Sequence, residues 1–257
     1  MSGVTPTYIL GFDIGGTKTA VVLGDDTGRV YDRTGFATAP QRGLDATLDE
    51  ICTQAERLRH RAARQGRGAE VASVSIGGPL DIQRGIILGP PNLPGWDRVP
   101  LKQVIEERLR MPCFVEHDGN AGALAEWYFG AARGARNVVF LTMGTGFGAG
   151  LILDGRLYRG SCDMAGEVGH VRLAEHGPAA YGKVGSWEAF CSGTGIARLA
   201  AMRYPCRWNE GRASVQDLAE LARSGDADAR ALFAEVGRYL GRGLALLVDV
   251  LNPQVIV

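Results

Sequence analysis

The sequence lacks an excess of charge of either sign, and this absence narrows the range of its partners. Its 257 residues hold 28 Lys and Arg against 28 Asp and Glu, so the formal net charge is zero at neutral pH. A protein that binds nucleic acid or an anionic membrane mainly through charge needs a positive surface. We therefore predict that neither nucleic acid nor membrane is a partner.

The sequence also lacks long apolar runs and a paired set of cysteines. A membrane-spanning helix needs a run of about 18 apolar residues, and no run in the sequence approaches this length. The N-terminal MSGVTPT lacks the basic and apolar regions of a secretory signal. Five cysteines are scattered without the spacing of a metal site: Cys52, Cys113, Cys162, Cys191 and Cys206. An odd, unpatterned set is typical of a reducing compartment, so we predict a cytoplasmic protein.

Glycine, in contrast, is abundant, with 37 residues. In "YILGFDIGGTKTAVVLGDDTGRV" a predicted strand, Tyr8–Phe12, leads into Gly15-Gly16-Thr17-Lys18, and a second strand, Ala20–Leu23, follows. A P-loop needs its lysine directly after the second glycine and a helix after the loop. Here Thr17 intervenes and the next segment is β-branched, so the pattern predicts a different kind of phosphate loop.

A second segment, "NVVFLTMGTGFGAGLILDGRLYRG", repeats this layout. The predicted strand Val138–Thr142 enters Gly144-Thr145-Gly146, the strand Ala149–Leu153 leaves, and Asp154-Gly155 predicts a hairpin turn. The glycines also fit the loose G-x-G-x-x-G/A pattern, but no helix follows, which argues against a dinucleotide site. The two segments match element for element and predict a duplicated core with two facing hairpin tips.

Such tips suit a polyphosphate ligand. Glycines allow the backbone to approach a phosphate closely and to point successive N–H groups at it, and Thr17, Lys18 and Thr145 would add donors. Either tip alone is explained as well by an ordinary glycine-rich turn. The pair, with Asp13 directly before the first tip, favours two loops that hold the β- and γ-phosphates of a nucleotide.

The rest of the chain alternates strands and helices, which predicts an α/β fold of two lobes, residues 1–116 and 117–257. Ser214 and Asp217 have the spacing of a capping box. The predicted helices are Leu44–Arg64, Leu101–Arg110, about Asn120–Ala132, Glu188–Tyr204 with a glycine break, one from near Ser214, and about Ala227–Leu251.

With both hairpins established, the chain resembles the ROK family of sugar kinases, in the actin/hexokinase-like superfamily. The motifs that carry the resemblance occur in family order from Tyr8 to Val257: "DIGGTK", "GGPLD", "GPPNLPGW", "EHDGNAGALAEW", "MGTGFGAGLILDG", "AGEVGH" and "YGKVGSWEAFCSG". The resemblance implies a two-lobed actin-like ATPase (ribonuclease H-like) fold with duplicated β-hairpin phosphate loops.

The resemblance also implies a reaction: ATP- and magnesium-dependent phosphorylation of a hexose hydroxyl, usually on C6, of glucose or an N-acetylhexosamine. Asp118 takes the position of the catalytic base, and Asp13 the position that organises magnesium through water. The sugar-binding positions are Gly78, His117, Asp118, Glu167, His170 and Glu188. The phosphate-binding positions are Asp13, Gly15, Gly16, Thr17, Lys18, Gly144, Thr145 and Gly146. A homodimer is the family expectation.

Two further asparagines are ambiguous. Asn120 matches a family asparagine, but capping of the following helix explains it equally well. Asn92 lies in Asn92-Leu93-Pro94-Gly95, which is explained by a simple turn, so it is not among the predicted site residues.

Three departures from the family pattern stand out. The family's zinc segment reads C-x-C-G-x-x-G-C, but its cysteine positions hold Ala179, Tyr181 and Ser186 here, so we predict no zinc and expect Tyr181 and Trp187 to hold the loop by packing. In place of the family's Asn-Asp pair this sequence has His117-Asp118. The histidine changes the contact with the sugar, or hydrogen-bonds Asp118 and makes activity depend on its own titration.

The chain also stops at "NPQVIV", in a predicted strand without a turn or partner, and we therefore expect a C-terminally truncated fold.

Two other functions remain open. One is a sugar- or nucleotide-binding protein without catalysis, which the short C-terminus makes plausible. The other is a sugar-sensing transcriptional regulator, because some ROK members are repressors that carry a helix-turn-helix region before the first strand. The early start of the first strand and the neutral charge argue against the regulator.

Overall fold

The computed structural model describes residues 6–209 and 214–257, and the chain divides into two compact units. The first unit extends to Ala121 and includes Tyr128–Gly130 and Gly160–Met164. The second unit contains Gly122–Trp127, Ala131–Arg159 and the described part of Ala165–Val257. The lobes of residues 1–116 and 117–257 stay a prediction.

The first unit contains a five-stranded sheet and a smaller three-stranded sheet, whose strands lie between the last two strands of the large sheet in the chain. Its elements are β1 (Tyr8–Ile14), β2 (Lys18–Asp25), β3 (Val30–Ala37), α1 (Leu44–Ala63), β4 (Ala69–Ile76), β5 (Leu80–Asp81), β6 (Ile86–Leu88), β7 (Asp97–Val99), α2 (Leu101–Leu109) and β8 (Cys113–His117). The large sheet has the order β3-β2-β1-β4-β8, with β1 antiparallel to β2 and parallel to β4. The small sheet has the order β5-β6-β7.

Alternation of apolar residues explains how β1 packs. Leu10, Phe12 and Ile14 are buried and share one core with the apolar face of α1, whereas Asp13 points to the other, exposed face. The buried residues of α1 recur at helical spacing and include Leu48, Ile51, Ala55, Leu58 and Ala62. β1 extends past the predicted end at Phe12 because its pairing with β2 continues to Ile14 and Thr19. The sheet therefore holds Asp13 and the adjoining tip in a fixed register.

A helix that contains residues of both units, α3 (Asp118–Phe129), follows β8. The elements after it are β9 (Val138–Met143), β10 (Phe147–Leu153), β11 (Arg156–Leu157), β12 (Ala179–Ala180), β13 (Lys183–Val184), α4 (Trp187–Cys191), α5 (Gly193–Arg203), α6 (Val215–Arg223), α7 (Ala227–Leu251) and β14 (Val255–Ile256). The main sheet of the second unit has the order β11-β10-β9-β14. Here too the central strand is antiparallel to its hairpin partner and parallel to the strand on its other side.

The strand order β11-β10-β9-β14 repeats the order β3-β2-β1-β4 of the first unit. In both sheets a glycine tip joins the two central antiparallel strands, and a crossover through helices returns to pair in parallel with the first of them. The duplication of hairpins predicted from the sequence is therefore confirmed by topology.

Capping serines set the starts of helices in the second unit, and one of these caps was predicted. The predicted helix over 188–204 is two helices, because Ser192 interrupts it and its Oγ caps α5 by accepting the Gly195 N–H. Ser214 and Asp217 form the predicted capping box at the start of α6. The 25-residue α7 packs closely on α4, since a Cβ at Gly243 would lie only 2.2 Å from the buried indole of Trp187.

The last strand corrects one expectation. The predicted strand at the end of the sequence was expected to lack a partner, yet β14 pairs in parallel with β9, Val255 opposite Val138. The Gln254 side chain adds two bonds by accepting the N–H groups of Arg136 and Asn137. Because α7 returns the chain to β9, a neighbour is available that sequence patterns did not reveal.

Within residues 6–209 and 214–257, no helix combines the length and apolar character needed to cross a membrane.

Candidate active site

The first glycine tip joins β1 to β2 and is braced from the side by Thr38. The Gly15 N–H donates to the Lys18 carbonyl (3.1 Å), the Thr38 hydroxyl donates to the Gly15 carbonyl (2.6 Å), and the Thr38 N–H donates to the Thr17 carbonyl (3.0 Å). Among the described residues, the backbone N–H groups of Gly16 and Thr17 donate to no protein acceptor. The tip therefore has a fixed shape and keeps two donors for a ligand.

Gly16 permits a close contact between the first tip and Asn92, which the sequence did not reveal. A Cβ at Gly16 would lie 2.4 Å from the Asn92 carbonyl oxygen and 2.7 Å from its Cβ. The turn that contains Asn92, which was excluded from the predicted site, thus packs directly on the first tip. Only a glycine permits this approach.

The side chain of Lys18, a predicted phosphate donor, points along β3. A Cβ at Gly35 on this strand would lie 3.2 Å from the Lys18 Cε and 3.9 Å from its Nζ. In this arrangement the ammonium lies beside the strand, so its contact with phosphate stays a prediction.

Asp13 and Asp118 are brought close enough to influence each other. Partial burial raises the pKa of Asp13, the neighbouring Asp118 charge raises it further, and the Arg33 charge opposes the shift. Carboxylates offer the hard oxygen atoms that magnesium prefers, and magnesium usually keeps several waters and needs few protein ligands. The carboxylate of Asp13 fits a magnesium ion held through water, and this magnesium site stays a prediction. Among the described residues, no group of three or more His, Cys, Asp or Glu is placed to hold a metal ion directly.

The predicted catalytic aspartate lies where β8 ends and α3 begins. Asp118 Oδ1 accepts the Gly119 N–H (2.7 Å) and lies 3.3 Å from His117 Nδ1. The Asp118 side chain is 44% exposed and that of His117 only 14%. A negative charge is stabilised at the N-terminus of a helix. The position thus offers an accessible carboxylate with an imidazole beside it.

The loop after β4 meets this pair. A Cβ at Gly77 would lie 3.9 Å from Asp118 Oδ2, and one at Gly78 would lie 3.0 Å from His117 Cδ2. The structure therefore places three of the predicted sugar-binding residues, Gly78, His117 and Asp118, together in the first unit.

Asn120 does not cap the helix, which corrects one of the two interpretations of this residue. α3 begins at Asp118, so Asn120 lies in its first turn, and its Nδ2 donates to Glu116 Oε1 (2.9 Å). The same carboxylate oxygen accepts the His117 N–H (3.0 Å). Asn120 therefore ties the start of α3 to the end of β8 and supports the orientation of the residues between them.

The second glycine tip, between β9 and β10, is supported by α5. The Gly144 N–H donates to the Gly146 carbonyl (3.0 Å), the Gly193 N–H donates to the Gly144 carbonyl (2.8 Å), and the Thr194 hydroxyl donates to the Thr145 carbonyl (3.0 Å). The N-terminus of α5 lies against the tip and adds its positive dipole end. This environment suits an anionic group.

A cavity of about 570 Å³ adjoins the second tip. Its walls combine tip backbone with apolar and small polar side chains from α5 and α6. The lining residues are Met143, Gly144, Thr145, Cys191, Gly193, Thr194, Ile196, Ala197, Ser214, Val215 and Gln216. A mostly apolar cavity beside the N-terminus of a helix has the character of a small-molecule site.

The three predicted sugar-binding residues of the second unit also lie together. His170 Nε2 is 3.4 Å from Glu167 Oε2, and the buried Glu188 Oε2 accepts the Phe147 N–H (2.8 Å). Burial is the main cause that raises the pKa of Glu188; the Phe147 N–H bond and the His170 charge lower it, and the Glu167 charge raises it. The group offers two carboxylates and one imidazole to hydroxyl groups.

The glycines of "AGEVGH" explain why this segment lies next to β10. A Cβ at Gly166, whose φ is +94°, would lie 2.3 Å from the Ala149 carbonyl oxygen. One at Gly169 would lie 2.2 Å from the Phe147 carbonyl oxygen. The segment runs directly on the strand backbone, which places Glu167 and His170 beside the second tip.

The segment where the resemblance placed zinc is a short hairpin, β12–β13, with Tyr181 and Gly182 at its turn. Ala179 has no ligand atom, and Ser186 Oγ accepts the Ala189 N–H as the cap of α4. The residues present do not fit a structural zinc site, which needs thiolate or imidazole ligands. Trp187 is buried and supports α4, whereas Tyr181 is half exposed with its ring beside His170.

The fold and these two sites define the class of protein. A pair of β-hairpin tips on repeated sheets is the architecture of the actin-like ATPases, and the predicted fold is confirmed by solved structures. A ROK family glucokinase from Streptomyces griseus, solved with glucose and AMPPNP, has a TM-score of 0.81 and 34% identity, with 97% of this chain and 81% of that chain covered.

The chain belongs to the ROK family, whose family model matches residues 9–257. A glucokinase of Streptomyces coelicolor is 33% identical over 267 residues, which cover 96% of this chain and 80% of the relative. A xylose repressor of Bacillus spizizenii is 29% identical, with 97% of this chain and 63% of the repressor covered. The family predicted from the motifs is confirmed.

Proposed function

We propose that this chain is an ATP-dependent sugar kinase that transfers the γ-phosphate to a hydroxyl group, on C6, of a hexose such as glucose or an N-acetylhexosamine. The observation that carries the proposal is the accessible Asp118 carboxylate, which follows β8 in the same unit and at the edge of the same sheet as Asp13, where β1, β4 and β8 are in register. Relatives named as glucokinases support a sugar kinase.

In this proposal Asp118 accepts the proton of the sugar hydroxyl as its oxygen attacks the γ-phosphorus. Gly78 and His117 are proposed to contact the sugar, and Glu167, His170 and Glu188 to accept and donate hydrogen bonds to sugar hydroxyls. Positioned hydrogen bonds of this kind hold the attacking oxygen near its target, which supplies a large part of the rate enhancement.

The nucleotide is held by the two tips in this proposal. The free N–H groups of Gly16 and Thr17 serve one part of the polyphosphate, and Gly144, Thr145 and Gly146 serve the other. The cavity beside the second tip takes the nucleoside. Magnesium, held by Asp13 through water, would neutralise phosphate charge when bound.

The test is a substrate panel with three readouts. ADP release would be measured with ATP and magnesium across glucose, N-acetylmannosamine, N-acetylglucosamine and alkyl glucosides. Sugar binding would be measured separately by calorimetry, and DNA binding by a gel-shift assay with and without sugar. We expect turnover with one hexose class and a product phosphorylated on C6, identified by phosphorus NMR. Sugar binding without any turnover would favour a binding protein, and loss of DNA binding on addition of sugar would favour a regulator. The homodimer and the cytoplasmic location stay predictions.

The His117–Asp118 pair predicts an effect on sugar binding. His117 Nδ1 accepts the Gly119 N–H (3.3 Å) and lies 3.3 Å from Asp118 Oδ1, so the ring is held beside the proposed base. We expect His117→Ala to raise the sugar KM about three- to tenfold, the range that follows from loss of one hydrogen bond, with the ATP KM unchanged. The exposed His60 supplies the control, His60→Ala, which should keep the wild-type sugar KM. Equal sugar KM values for wild type and His117→Ala would contradict the effect.

The contact between Gly16 and Asn92 predicts a nucleotide effect. In Gly16→Ala the new Cβ forces the tip away from the Asn92 carbonyl, so the two N–H donors move. We expect kcat/KM for ATP to fall about 10- to 100-fold, with sugar affinity retained, because small displacements of positioning groups are costly. Gly68→Ala is the matched control, since a Cβ there has no neighbour within 4 Å. Unchanged ATP kinetics in Gly16→Ala would exclude a role of the tip.

A further inference from the structure

The β12–β13 hairpin lies against the sugar-binding residues proposed above, and its own side chains reach one of them. Lys183 Nζ donates to the His170 carbonyl oxygen (2.8 Å). The ring of Tyr181 lies with its centroid 6.1 Å from that of His170, at an interplanar angle of 62°. Both contacts come from the turn side of the hairpin and converge on one residue.

The hairpin itself is fixed by backbone bonds. The Gly185 N–H donates to the Pro178 carbonyl (2.9 Å), the Leu173 N–H donates to the Gly185 carbonyl (2.8 Å), and the Arg198 guanidinium donates to the Ala179 carbonyl (2.7 Å). Leu173 follows His170 closely in sequence, so the hairpin holds the segment after His170 as well. These three bonds join N–H donors to backbone carbonyl groups and need no metal ion.

The same hairpin leads directly into α4. Ser186 caps this helix, which carries Glu188, and the Trp187 N–H donates to the Val171 carbonyl (2.8 Å). The hairpin thus joins the segment of His170 to the helix of Glu188 through a short, hydrogen-bonded connection.

We propose that Tyr181 and Lys183 are positioning residues for His170, and that they stabilise the sugar site without a metal ion. Lys183 fixes the backbone at His170, and Tyr181 limits the orientation of the imidazole. This inference rests on the proposed role of His170 in sugar binding. It follows that sugar affinity and thermal stability do not depend on zinc.

The test uses Lys183→Met, which removes the donor but keeps a long side chain, and Tyr181→Ala. We expect each to weaken sugar binding by calorimetry, and to raise the sugar KM, about three- to tenfold, the range that follows from loss of one hydrogen bond or ring contact. The ATP KM, and kcat at saturating sugar, should stay within about twofold of wild type. Lys183→Arg should restore most of the affinity, because it restores a donor.

The chain offers a matched control, since its only other lysines are Lys18 and Lys102. Lys102→Met, on α2 in the first unit, should leave sugar affinity unchanged. In the background of His170→Ala, Lys183→Met should have little further effect, since both act through His170. Melting temperature and sugar affinity should be the same with EDTA and with added zinc.

The outcomes separate the two hypotheses. If His170→Ala weakens sugar binding but Lys183→Met and Tyr181→Ala do not, the positioning role is wrong and the proposed sugar site stands. If His170→Ala has no effect, the proposed role of His170 is wrong. A loss of stability together with equal changes in both KM values would show a general structural role and overturn the inference, as would loss of sugar affinity with EDTA.

Discussion

Asp118→Asn is expected to lower kcat about 10²- to 10⁴-fold, the usual contribution of a general base. The amide keeps the shape of the side chain and can still accept the Gly119 N–H, so α3 and its contacts should remain. It cannot take the proton of an attacking hydroxyl. Sugar affinity by calorimetry should therefore stay close to that of wild type while phosphoryl transfer is lost.

The matched control is Asp26→Asn, at an exposed position in the first unit, which should retain wild-type turnover. Rapid-quench measurement of a single turnover would distinguish slow chemistry from slow product release. Normal single-turnover rates in Asp118→Asn would remove this residue from the role of base.

Glu188→Gln should weaken sugar binding about 10- to 100-fold, since a hydrogen bond to a charged group contributes about 1.5–3 kcal/mol. Gln can still accept the Phe147 N–H through its amide oxygen, so the contact with the second tip is preserved. The ATP KM should change little. Glu175→Gln, at an exposed site of the same unit, is the control and should bind sugar normally.

Although Glu188→Gln should weaken sugar binding, we expect it to keep or raise the stability of the protein. Burial raises the pKa of Glu188, so the native state binds this proton more tightly than the unfolded chain does. The stability linked to this proton is complete below the pKa of the unfolded chain and is lost as pH rises through the native pKa. At neutral pH the buried charge is therefore a cost, and Glu188→Gln should melt at or above the wild-type temperature. A lower melting temperature at neutral pH would contradict this assignment.

The elements with strong local signals were predictable. β1, β2, β9 and β10 have apolar runs next to glycine tips, α1 and α7 have sustained helical spacing, and α6 has a capping box. Each signal lies within a few residues of the element that it specifies. The glycine motifs likewise identified both tips and the "AGEVGH" segment.

Elements that depend on distant contacts were not predictable. β5, β6, β7, β12 and β13 have two or three residues each, too few for a period to be visible. Capping was one of the two interpretations of Asn120 because the start of α3 was predicted two residues late, whereas α3 begins at Asp118 and the Asn120 side chain bonds Glu116. The packing of Asn92 on Gly16 joins segments about 75 residues apart, which no local pattern can encode.

The close packing of Gly243 on Trp187 has a consequence for variation in this protein. Trp187 directly precedes Glu188 in α4, so α7 helps to set the placement of this acid although none of its side chains is among those proposed to bind the sugar. An added methyl group at residue 243 would press on the indole and displace its neighbour. With Glu188 in its proposed role, genetic variation at residue 243 would then alter substrate preference without touching any substrate, and a survey confined to ligand contacts would miss it.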